Sequence, residues 1–155
     1  MLEDEGYRLM GAAFEVYNLL GYGMAEEIYQ QSLEIELALR GIPFQSKREL
    51  TVCYKDRLLD TRYRPDLVVY DAIVVELKAI SDLVADHEAQ LFNYMRIARQ
   101  QVGYLLNFGK KGELQLACSP KPDPCVMRVF SALVGKETLD ETEATQSRAG
   151  DPEAA

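Results

Sequence analysis

An α/β domain with a mixed β-sheet flanked by helices is predicted by three observations. Apolar residues recur at helical spacing in two N-terminal segments, switch to a two-residue period through the middle of the chain, and return to helical spacing after residue 83. Glycine and proline fall at the joints between these segments. The run Ile73-Val74-Val75 is apolar on both alternating faces, as expected of a central strand covered on both sides. Interleaved helices and strands pack as helices on the faces of a sheet.

The first helix is expected from about Glu5 to Leu20, where Leu9, Ala13, Val16, Tyr17 and Leu20 share a face. Gly21-Tyr22-Gly23 breaks it. A second helix from about Ala25 to Leu39 carries Ile28, Leu33, Ile35, Leu37 and Leu39, and Gly41 with Pro43 ends it. Glu49–Tyr54 reads as a strand, Lys55-Asp56-Arg57 as a turn, and Leu58–Tyr70 as a longer strand or a strand with an irregular middle. Asp71 turns the chain into a strand over Ala72–Ala79. A third helix is expected from about Leu83 to Gln101, with Leu91, Met95, Ala98 and Val102 as its stripe. Val102–Asn107 is a further strand, Gly109-Lys110-Lys111-Gly112 a hairpin turn, and Glu113–Ala117 the returning strand. The expected order is therefore ααβββαββ. Val126–Val134 reads as a short helix or strand after three spaced prolines. Residues 1–134 form one domain in this reading, and residues 135–155 a disordered acidic tail with almost nothing to bury.

Composition narrows the function classes. The chain is 48% apolar with a formal charge of −8, and no basic stripe runs along it. That argues against tight, independent DNA binding through charge alone. A catalytic pocket is less constrained, because bound cations supply local positive charge. Cys53, Cys118 and Cys125 contain no CxxC pair and are read as reduced thiols. The acidic N-terminus and the lack of a long apolar run lead to the expectation of a cytoplasmic protein without a membrane span.

Three residues stand out chemically. Glu76 and Lys78 lie two apart in the apolar run, so a strand projects both from one face, while Leu77 points the other way. Asp66, ten residues before Glu76, sits where a neighbouring strand could bring it close. A carboxylate and an ammonium on so apolar a strand are costly to bury unless paired or bound to an ion. A carboxylate pair able to hold a divalent cation, beside a lysine able to orient or deprotonate water, suits phosphodiester hydrolysis. The bland alternative is an edge strand that exposes this face to water. Gly21-x-Gly23 has no preceding strand and no third glycine, so it is no dinucleotide loop.

Pro65-Asp66 with Glu76-Leu77-Lys78 resembles the signature of the PD-(D/E)xK nuclease superfamily, a restriction-endonuclease-like fold. Gly23-Met24-Ala25-Glu26-Glu27-Ile28-Tyr29 is similar to the Gly-x-x-Glu-x-x-Tyr pattern of the GxxExxY branch of that superfamily. His87-Glu88-Ala89-Gln90-Leu91, Asn93-Tyr94 and Gly103–Gly109 resemble the same branch, and Gln90-x-x-x-Tyr94 resembles the motif of RecB-type nucleases. The similarity spans roughly Gly11 to Gly109.

The resemblance implies a nuclease that uses Mg²⁺ or Mn²⁺, acting on nucleic acid and on DNA before RNA. Asp66, Glu76 and Glu26 are implied as metal ligands, with the Leu77 backbone carbonyl as a further one. Lys78 is implied as the group that orients water, and deprotonates it if burial lowers its pKa. Gln90, Tyr94, His87 and Tyr29 are implied as substrate-contacting or supporting residues. Two alternatives stay open at the residue level: Glu26 as a first-turn acid on the helix dipole, and His87 as a helix-face residue with a local hydrogen bond. Two rival functions are a non-catalytic nucleic-acid-binding or assembly module, and a nuclease subunit whose homodimer or protein partner supplies a basic surface.

Overall fold

The computed structural model describes residues 2–110 together with the strand segments 113–118 and 132–133. Helix α1 runs over Glu3–Leu20 and α2 over Glu26–Leu39. They are followed by β1 (Phe44–Ser46), β2 (Leu50–Tyr54), β3 (Arg57–Tyr63), β4 (Leu67–Val69) and β5 (Ile73–Lys78). Helix α3 (Ala85–Ala98) leads to β6 (Val102–Asn107), β7 (Glu113–Cys118) and β8 (Ala132–Leu133).

Six strands form one mixed sheet in the order β1-β4-β5-β6-β7-β8, and β2 pairs with β3 alone. β5 and β6 are parallel, with Ile73 opposite Val102 and Lys78 opposite Asn107. All other pairs are antiparallel. A parallel pair needs a crossover long enough to carry a helix, and α3 is that helix. The α/β class with a mixed sheet is as expected from the period changes.

Three details differ from the sequence reading. The strand expected over Leu58–Tyr70 is two, because Pro65 lacks an N–H for the ladder and forces a break between β3 and β4. β1 was not expected, being only three residues long with one half-buried side chain. In α2 the buried stripe is Tyr29, Leu33 and Leu37 with Gln30, whereas Ile28, Ile35 and Leu39 face water. The C-terminal part of the Val126–Val134 reading falls on β8. The remainder of that segment and the tail from 135 lie outside the described residues.

The sheet has a core on each face. α1 presents Leu9, Ala12, Ala13 and Val16, spaced i, i+3, i+4 and i+7, and packs with α2 over Leu67, Val69, Ile73, Val75 and Leu77. On the other face Val74 and Leu105 meet Leu91, Tyr94 and Met95 of α3. Close approach of α3 depends on Gly103, where an added Cβ would lie 2.6 Å from the Met95 sulfur. Side chains alternate along β5, so Glu76 and Lys78 share the α3 side with Val74.

Candidate active site

The ladder between β4 and β5 places Leu67 opposite Val75 and Val68 opposite Val74. One step further brings Asp66 level with Glu76, on the same face because cross-strand partners share one. The Asp66 side chain turns along the strand, and its Oδ2 accepts a hydrogen bond from the Leu77 N–H at 2.7 Å. Lys78 Nζ donates to Glu76 Oε1 at 3.2 Å. Glu76 is only 4% exposed, and its Oε2 is buried with no hydrogen-bond partner. A buried acceptor left unpaired costs roughly 1–3 kcal/mol.

Asp66 is held from behind by two elements. Its carbonyl accepts from the Lys47 N–H at 3.0 Å and from Gln30 Nε2 at 3.4 Å. Gln30 is buried on α2, one helical turn after Glu26, so the two share a face. That face brings the exposed Glu26 to the end of β5, where its carboxylate feels Lys78, Asp66, His87 and Lys47.

Chain geometry before α2 has its own lock. Gly21 and Gly23 take φ of 65° and 99°, values an L side chain resists. The Tyr29 hydroxyl donates to the Gly21 carbonyl at 2.6 Å and accepts from the Met24 N–H at 3.2 Å. Its ring stacks on Phe108 with centroids 4.7 Å apart and is fully buried. Tyr29 is thus tied to the loop that precedes Glu26. Tyr29→Phe should lower stability by about 1–2 kcal/mol in urea melts, because both polar partners lose their bond.

From the facing helix, Gln90 Nε2 donates to the Tyr94 hydroxyl at 3.0 Å, and Tyr94 meets Tyr63 of β3 edge-on at 5.9 Å. His87 Nδ1 accepts from the Val84 N–H at 3.1 Å, closing the first turn of α3. With Nδ1 accepting, the neutral ring carries its proton on Nε2. That arrangement presents a donor, suited to a phosphate oxygen and unsuited to a cation. The local hydrogen bond weighed from sequence is present.

Beyond Lys78 the chain is clamped. Asn107, fully buried, accepts from the Ile80 and Gly109 N–H groups at 3.0 and 3.1 Å and donates to the Ile80 carbonyl at 2.9 Å. The Phe108 N–H adds a bond to the Lys78 carbonyl at 2.7 Å.

A family model described as PD-(D/E)XK nuclease superfamily matches residues 3–117. The chain belongs to that superfamily. No curated protein and no solved structure matches it significantly.

In this superfamily member the electrostatics centre on Glu76. Burial, then the neighbouring Asp66 charge, pushes its pKa up to about 7, against the pull of Lys78. Burial likewise raises Asp66, although the Leu77 N–H and the charges of Lys78 and Lys47 oppose it. Glu26, exposed but partly desolvated by its neighbours, is raised too. Lys78 moves opposite to the direction needed for a general base. Burial acts to lower its pKa, but the Glu76 contact with the charges of Glu26 and Asp66 outweighs it, and the ammonium is held above its ordinary value. As folded here, the surrounding carboxylates favour the ammonium form of Lys78.

Superfamily members generally use divalent metal ions. Among the described residues, no three His, Cys, Asp or Glu side chains converge closely enough to hold one. The donor set nevertheless suits a hard cation: Glu76 Oε2 is orphaned, burial disfavours the anionic form of both Glu76 and Asp66, and the Asp66 charge adds to the effect on Glu76. Lys47 and Asn107 escaped the sequence reading. Nothing in an isolated Lys or Asn foretells a backbone grip on Asp66 or Ile80.

Proposed function

We propose that the chain is a metal-dependent nuclease of the GxxExxY branch that hydrolyses phosphodiester bonds, with DNA as its substrate. The observation that carries this reading is the pair Asp66 and Glu76, one step beyond the β4–β5 ladder, with Lys78 bonded to Glu76 at 3.2 Å. Asp66, Glu76 and Glu26, with the Leu77 backbone carbonyl, would hold Mg²⁺ or Mn²⁺. A bound divalent ion would supply charge stabilisation to the attacking and leaving oxygens.

The protein's own groups do the rest. Lys78 keeps its proton and aligns the attacking water or a non-bridging phosphate oxygen. Gln90 holds the Tyr94 hydroxyl, so that Tyr94 faces the carboxylates from the α3 side. His87 offers its Nε2–H to phosphate. Among the described residues no helix is long and apolar enough to cross a membrane.

Calorimetric titration of Mn²⁺ into wild type, Asp66→Ala and Glu76→Ala tests the first step. Wild type should bind, and both variants should lose at least about tenfold in affinity. Equal affinity in all three would sink the nuclease reading and leave a non-catalytic module on the same fold. Cleavage assays over single-stranded, duplex and branched DNA and RNA, with Lys78→Ala as control, then define the substrate. Activity that appears only after mixing with a second protein would identify the chain as a subunit.

A further inference from the structure

The β2–β3 hairpin stands apart from the main sheet, and its charge is opposite to that of the rest of the chain. Residues 47–64 hold six basic residues (Lys47, Arg48, Lys55, Arg57, Arg62, Arg64) and three acids, within a protein of net −8. Every residue of β3 is exposed. Two of the arginines are neutralised, Arg48 by Asp71 and Arg64 by Glu49. Arg62 folds back onto the Leu59 and Asp60 carbonyls. Among the described residues, Lys47, Lys55, Arg57 and Arg62 have no carboxylate within ion-pair distance.

Exposed aromatic and apolar surface accompanies this charge. Tyr54 is 66% exposed and Tyr63 40%, with Leu58 and Leu59 also open to water. Lys55 lies 5.7 Å over the Tyr54 ring, so cation and ring face are presented together. At its base the hairpin touches the candidate site twice: Tyr63 meets Tyr94, and Lys47 bonds the Asp66 carbonyl through its N–H.

We propose that the β2–β3 hairpin, with Lys47 at its base, is an arm that receives single-stranded nucleic acid and leads it to the Asp66–Glu76 pair. Phosphates run past Lys47, Lys55 and Arg57, and unpaired bases stack on Tyr54 and Tyr63. Paired bases bury their faces in the helix stack and have none to offer such rings. Four cations without an ion pair are also few for duplex binding, which rests on phosphate neutralisation, whereas ring stacking accepts any unpaired base. A seven-residue strand extends roughly 20 Å, enough to contact several nucleotides. The inference rests on the nuclease reading for the destination of the strand, but not for the binding itself.

The test is fluorescence anisotropy on the full chain with labelled oligo-dT and with a labelled duplex, in EDTA so that binding is read without cleavage. Tyr54→Ala and the pair Lys55→Glu/Arg57→Glu lie at the exposed tip, and unchanged melting temperatures verify their folding. Each should weaken oligo-dT binding by roughly tenfold or more, and the charge reversal should flatten the salt dependence. Wild-type affinity in both variants, or no binding of oligo-dT by wild type, overturns the proposal. So does duplex binding at least as tight as single-strand binding and insensitive to Tyr54→Ala. If the hairpin variants lose binding while Mn²⁺ affinity is unaffected by Asp66→Ala and Glu76→Ala, the arm stands and the nuclease reading falls. The reverse pattern removes the arm alone.

Discussion

Replacing Glu76 by glutamine should make the metal-free protein more stable at pH 8 while reducing metal-dependent cleavage at least about a hundredfold. The stability gain follows from the raised carboxyl pKa. In the folded protein Glu76 titrates at about 7 against an ordinary value of 4.5. Below pH 4.5 both the folded and unfolded forms carry the proton and the stabilisation is fully present. Between the two values only the folded form keeps it, and the advantage is lost as pH rises through 7. The whole span is worth about 3 kcal/mol. Glutamine has no proton to lose, so this slope should vanish. The pull of Lys78 on the carboxylate is already contained in that value, so the gain at pH 8 is at most about 3 kcal/mol. Urea midpoints in EDTA at pH 5 and pH 8 measure it. A variant whose midpoint falls with pH as steeply as that of wild type would show that Glu76 is not the strained group.

Asn107→Ala should destabilise the protein by about 3–4 kcal/mol, the largest stability loss expected at any polar position described. It removes the side chain that satisfies two N–H groups and one carbonyl in a site with no exposure of its own. The Ile80 backbone follows Lys78 by two residues, so cleavage should fall further than the lost stability accounts for. Urea denaturation and cleavage below the variant's melting temperature separate the two effects. A loss under about 1 kcal/mol would mean that water replaces the Asn107 amide.

Much of this architecture was legible in the chain. The helical periods located α1, α2 and α3, and the apolar run with Glu76 and Lys78 located β5 and the face it shows. The Pro65 break was visible only as irregularity, because a proline's effect on pairing depends on which neighbour it faces. The Ile28–Leu39 stripe misled, since α2 is apolar on more than one side and only contact with α1 and the sheet decides which side is buried. Tyr29, expected as a substrate-contacting or supporting residue, is buried against Phe108, a packing partner that no local pattern announces. Lys78 shows the limit of a burial argument alone: three carboxylates around it reverse the shift that burial would produce.

One feature of the sheet bears on synthesis. The strand carrying Glu76 and Lys78 is complete by residue 78, yet its parallel neighbour begins at Val102, after the whole of α3. Pairing of distant parallel strands is a late and slow event for a polypeptide emerging from the ribosome. A chain cut short before that neighbour is made should hold every acid and the lysine, but neither the β6 support nor the Asn107 clamp. Translation products cut short before β6 should therefore be inert, and hydrolytic competence should arrive only once β6 and Asn107 have been made.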